Sequence, residues 1–183
     1  MTLRHAAAAQ PAAPDEDSRA GPRPGPDGEP LLTLERFLPY RLNVVASVVS
    51  NALARIYADR FQLTIPQWRV MATLGQYGTR TARDIALHGV MHKSTVSRAV
   101  SALEGRGLVS RRPNAQDMRE EHLLLTPEGR TIYEAVVPEA LTFEERVTSA
   151  LDPQERAVLF GLIERLDRQT RSLAPDLDEE PPA

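Results

Sequence analysis

The sequence predicts a mainly α-helical chain that carries one small β-hairpin. Two observations predict it. Apolar residues recur at three- and four-residue intervals through most of the length, and four of those runs open on a side-chain cap. Between Leu108 and Leu125 the period changes: Leu108-Val109-Ser110-Arg111-Arg112 and His122-Leu123-Leu124-Leu125 read as two strands flanking a polar tip. Two short helices followed by a hairpin with a cationic tip is the order of a winged helix-turn-helix. Here it is bracketed by long N- and C-terminal helices that can serve as dimerisation helices.

Residues 1–30 hold six of the fifteen prolines and almost no large apolar side chain, so they read as a disordered tail. Residues 31–62 read as an N-terminal dimerisation helix. Leu38, Leu42, Val45, Val49 and Ile56 keep helical spacing, and Pro39 implies a start near Leu38 or a bend there. A winged unit needs few such residues, so this helix is expected at a subunit interface.

Residues 63–126 form the expected reading unit. Thr64-Ile65-Pro66 opens its first helix, with Trp68, Val70, Met71, Leu74 and Tyr77 apolar and Gly78 as the stop. Trp68, the only tryptophan, reads first as core. Thr81-Ala82-Arg83-Asp84 has the form of a capping box, Ile85, Ala86 and Leu87 give a short apolar face, and Gly89 is the expected break. His92 to Arg98 opens the next helix. Val96, Ala99, Val100 and Leu103 share one face, leaving Ser94, Thr95, Ser97, Arg98 and Ser101 largely off it. Hydroxyls and cations without acids in the first turns suit phosphates and base edges. Glycines at Gly105 and Gly107 end that helix.

Residues 127–174 read as C-terminal dimerisation helices. Thr126-Pro127 opens one, with Pro138 inside it. Asp152-Pro153-Gln154-Glu155 opens another, whose stripe is Val158, Leu159, Leu162, Ile163 and Leu166 and whose Glu164 and Arg168 are spaced for an ion pair. Residues 175–183 read as a flexible acidic tail.

Composition excludes several chemistries. No apolar run is long enough to span a membrane and no secretory signal opens the chain, so a cytoplasmic protein is expected. Without cysteine there is no disulfide and no thiol chemistry. His88 and His92 are four apart, but the break at Gly89 separates them and no carboxylate pair completes a site, so no metal is expected. No phosphate cradle, His-Glu-x-x-His or nucleophile elbow occurs, so no catalytic residue or resident cofactor is expected. The formal charge is -3, yet six Lys and Arg oppose two acids between His92 and Arg119. A local patch of this kind, not the mean charge, decides whether DNA binds.

Ser94-Thr95-Val96-Ser97-Arg98, Leu103-Glu104-Gly105-Arg106-Gly107-Leu108-Val109, Asp117-Met118-Arg119 and Leu125-Thr126-Pro127-Glu128-Gly129 resemble, in order and spacing, the MarR family of bacterial regulators. The resemblance runs from about Leu34 to Leu173. It implies a homodimer whose reading helices enter successive major grooves of a palindromic double-stranded operator, with Arg119 reaching a minor groove and Asp117 steadying it. The absence of cysteine excludes the family's peroxide-sensing branch. Gly89 stands three residues after Ala86, one earlier than in most helix-turn-helix sequences.

The expected DNA contacts are His92, Lys93, Ser94, Thr95, Ser97, Arg98, Arg111, Asp117 and Arg119. The resemblance also implies an effector, a small aromatic or phenolic acid. It would lie between the helical platform and the reading unit, with Tyr40, Arg41, Trp68 and Arg69 as candidate partners. A repressor released by that ligand is the expected function; the alternative is a helical dimer that binds another protein and no DNA.

Overall fold

The computed structural model describes residues 28–113 and 121–174. The expected tails, apart from residues 28–30, lie outside those residues, as do Asp117 and Arg119. The described residues divide into two compact units, one up to Val49 and one from Ser50 onward.

In the first unit, a 3-10 turn at Leu34–Arg36 ends in extended backbone at Phe37. Helix α1 (Leu38–Phe61) then starts with Pro39 in its first turn, where a missing N–H costs nothing. Both readings of Pro39 hold in part, since a short turn precedes the helix and the helix begins at Leu38. Leu38, Leu42, Val45 and Val48 are all exposed along it.

The second unit carries the rest of α1, then α2 (Ile65–Tyr77), β1 (Arg80–Thr81), α3 (Ala82–Gly89), α4 (Lys93–Gly105), β2 (Val109–Pro113), β3 (Glu121–Leu125), α5 (Pro127–Thr148) and α6 (Pro153–Leu173). It is a mainly helical winged helix-turn-helix, as the patterning predicts. The expected hairpin is in fact a three-stranded antiparallel sheet in the order β1-β3-β2. The added strand pairs Arg80 with Leu123 and Thr81 with His122. Two residues are too short to show a period of two, so only the fold reveals β1.

Caps define the helix starts. Thr64 with Gln67, Thr81 with Asp84, and Asp152 with Glu155 form reciprocal capping boxes, while Thr126 accepts from Gly129 N–H at the head of α5. Each cap is worth about 1 kcal/mol. Helix α5 runs on through Pro138.

The core lies among α2, α3, α4 and the sheet. Val70, Met71, Leu74, Ile85, Val96, Val100, Leu103, Leu108 and Leu123 are at most 2% exposed. Each such side chain stabilises the fold by roughly 1.5–3 kcal/mol. Trp68 belongs to this core, stacked between Tyr57 at 5.3 Å and Tyr133 at 6.1 Å. The base of the sheet meets α5 so closely that a Cβ on Gly129 would strike the carbonyl of Leu108. Helix α6 is different: none of its residues is buried. Its expected Glu164–Arg168 pair is not formed, and the i,i+4 bridge lies one turn on, between Asp167 and Arg171 at 3.0 Å.

Candidate nucleic-acid interface

The turn between α3 and α4 departs from the sequence expectation. Gly89 is the last residue of α3 and not its break; Val90 takes the left-handed conformation, with φ of 46° and ψ of 52°. Its N–H still donates to Leu87 O, and Met91 N–H donates to Ala86 O, so the turn closes with its polar groups satisfied. A β-branched residue at positive φ is strained. The early glycine therefore leaves the chain without glycine where the turn needs one.

His92 caps α4. Its Nδ1 accepts from Ser94 N–H at 3.3 Å and lies 2.7 Å from Ser94 Oγ. This places the ring at the start of the helix through bonds to its own chain. Val96, Ala99, Val100 and Leu103 are buried, and Lys93, Ser94, Ser97 and Arg98 are exposed, with Thr95 half-buried. The Arg98 guanidinium folds back along the helix, donating from Nε to Ser94 O at 3.2 Å. The helix ends through Gly107 at φ of 70°, while Leu108 N–H returns to Leu103 O.

The basic residues beyond α4 divide into two kinds. Arg106 donates from both terminal nitrogens to carbonyls at the end of α1, to Phe61 O at 2.7 Å and Gln62 O at 3.0 Å. It holds the protein together. Arg111, expected at the DNA, donates to Glu104 at 2.8 Å and to Glu121 at 2.7 Å. Hydrogen bonding to Glu121, then to Glu104, pushes its pKa above the ordinary arginine value. Arg112 is exposed, paired in register with His122, and has no side-chain partner among the described residues. Arg112 is part of the basic stretch but not among the expected contacts; neighbours on a strand point to opposite faces, the signal in the sequence that separates it from Arg111.

A cleft of about 250 Å³ adjoins the reading helix, lined by Thr64, Pro66, Gln67, Thr95, Arg98 and Ala99. It brings the first turn of α2 beside that of α4. No sequence spacing linked those residues.

The expected effector residues are distributed between the units. Tyr40 and Arg41 are exposed in the first; Trp68 is enclosed in its aromatic stack in the second, where Arg69 is exposed. His88 packs edge-on against Tyr77 at 4.8 Å. Among the described residues, no group of three His, Cys, Asp or Glu could hold a metal, and no helix is long and apolar enough to cross a membrane.

Comparison with known proteins agrees with this geometry. The MarR family profile matches residues 63–120, which span the reading unit and most of the wing. The regulator PecS of Dickeya dadantii is 26% identical over 149 residues, covering 80% of this chain and 86% of its own. A MarR-family regulator from Silicibacter pomeroyi has a crystal structure that superposes with a TM-score of 0.64 at 26% identity, covering 73% of this chain and 90% of that one. BpsR of Bordetella bronchiseptica, whose DNA binding is regulated by 6-hydroxynicotinic acid, shares the fold with a TM-score of 0.67 at 22% identity, over 75% of this chain and 97% of its own. These relatives are regulators, not enzymes. With its reading helix, wing and matched profile, the chain carries a MarR-family region over residues 63–120 and is similar to transcriptional regulators of that family.

Proposed function

We propose that this regulator works as a homodimer that represses a catabolic or efflux operon from a palindromic operator and lets go when a small aromatic or phenolic acid binds. The observation that carries the reading is the division of α4. One face is sealed into the core, and the other offers Lys93, Ser94, Ser97 and Arg98 to the exterior. Short hydroxyls and cations on a rigid helix match phosphate oxygens and the acceptor edges of guanine. Arg98 and Lys93 read or grip, the serines and Thr95 fit the backbone, and Arg112 adds a cation on the wing. The cleft at Thr64 and Gln67 supports a backbone phosphate beside Arg98, at a helix start where partial positive charge gathers.

The dimer reading rests on α6. Val158, Leu159, Leu162, Ile163 and Leu166 are 38–54% exposed and form one apolar stripe. A stripe of this size left in water marks an interaction surface. A second copy would cover it and set two reading helices one helical turn of DNA, about 34–36 Å, apart.

The effector reading draws on BpsR, a protein of the same fold that answers to an aromatic acid. An acid acts by favouring one spacing of the reading helices, and its differential affinity caps the shift it can impose. Within the second unit, Arg69 is the exposed cation proposed to meet its carboxylate.

The test is a footprint on the chain's own upstream DNA, with and without aromatic acids. A protected palindrome that reopens on adding the acid supports the reading. Arg119→Ala should weaken specific binding and lower the salt slope by about one unit. Absence of salt-dependent DNA affinity would leave a protein-binding helical dimer instead.

A further inference from the structure

Arg111 lies on β2, in register with Leu123 of β3. Its Nε donates to Glu104 Oε2 at 2.8 Å, and its Nη1 donates to Glu121 Oε2 at 2.7 Å. Glu104 belongs to the last turn of α4, and Glu121 is the first residue of β3. One guanidinium thus joins the reading helix to both strands of the wing. The cluster carries one positive and two negative charges, so it faces phosphate with a net negative charge. Two of the five N–H donors of Arg111 are committed to these acids, and drawing the guanidinium away towards a phosphate would break two charge-assisted hydrogen bonds, which are among the strong ones. Arg112, the next residue, points the other way and is unengaged among the described residues.

We propose that Arg111 is a positioning residue, which holds the β2–β3 arm at a set angle to α4 and makes no contact with DNA itself. A small tilt at the base of an arm grows along its length, so the cluster determines where the wing meets the duplex. A planar, forked cation holds both acids in a fixed geometry, which the three rotatable donors of a lysine on a flexible stem fix less well. This inference rests on the DNA-binding reading above.

The experiment measures operator affinity for Glu104→Gln, Glu121→Gln, Arg111→Ala, Arg119→Ala and the Arg111→Ala/Arg119→Ala double variant, with melting curves to confirm folding. The two glutamine variants are nearly isosteric and remove negative charge beside DNA, which by itself should tighten binding. Positioning predicts the opposite sign, a weakening of about three- to tenfold, on the scale of coupling between neighbouring groups. It also predicts that the double variant loses less than the sum of the two single losses, because both act through the wing. Arg111→Lys should fall between wild type and Arg111→Ala. Tighter or unchanged binding by the glutamine variants, or additive losses with a further drop in salt slope, overturns the positioning role while leaving the regulator reading intact. A wild-type protein with no salt-dependent affinity for DNA overturns both.

Discussion

Helices α4 and α6 have the same kind of pattern and opposite fates. Each repeats apolar residues at three- and four-residue intervals, and each carries a polar opposite face. On α4 the apolar stripe is sealed, with Val96 and Leu103 fully buried; on α6 the equivalent stripe stays open, with Leu159 41% and Leu162 47% exposed. Periodicity states that a helix has a face to cover, not what covers it. The stripe on α4 meets α2, α3 and the sheet within one chain. Nothing among the described residues covers the one on α6, and this is the physical case for a second copy.

Three experiments would break or sharpen that contrast. Leu103→Ala should cost roughly 2–5 kcal/mol at any protein concentration, through lost burial plus a cavity, measured by urea unfolding. Leu162→Ala should instead act through association, so its cost should shrink on dilution; equal, concentration-independent losses would make α6 part of a monomer core. Leu162→Glu places a charge in the stripe and should leave a folded monomer by sedimentation, with operator affinity falling because one half-site cannot hold the protein.

The turn that aims α4 offers a smaller effect of opposite sign. Val90→Gly relieves a β-branched residue at φ of 46° and should stabilise by about 1 kcal/mol, measured by the same unfolding curves. A loss of stability would mean that the valine side chain contributes more than its backbone strain costs.

The smallest effect concerns pH. Burial raises the Tyr57 phenol above its ordinary 10.0, with the charge of Arg69 pulling the other way. The unfolded phenol releases its proton near the ordinary value while the folded one retains it. Its contribution is therefore complete below pH 10.0 and is lost as pH climbs through the raised folded value. Tyr57→Phe should flatten this alkaline limb and leave neutral pH nearly unchanged; an identical limb would assign the loss to other groups.

The parts of the interface that were legible in sequence were local. Thr81 and Asp84 announce their capping box because both partners lie within one turn, and the α4 face is visible because its period is regular. The engagement of Arg111 was hidden for the converse reason. A cation in a basic stretch resembles a phosphate contact until Glu104 and Glu121, 7 and 10 residues away, close on it. Arg106 is a stronger case, since the carbonyls it holds lie 44 and 45 positions back. Trp68 was legible as core, but its position between Tyr57 and Tyr133 was not.

By itself the sequence determined the helix starts, the face each helix must cover, the glycine end of α4 and the family that the reading unit resembles. These depend on interactions a few residues apart, where chain geometry leaves few alternatives. Tertiary structure alone decided which arginines are free, that Thr81 doubles as strand and cap, that Val90 bears the left-handed turn, and that the α6 stripe goes uncovered. Each is an outcome of competition among groups distant along the chain, and that competition is resolved only when packing brings them together.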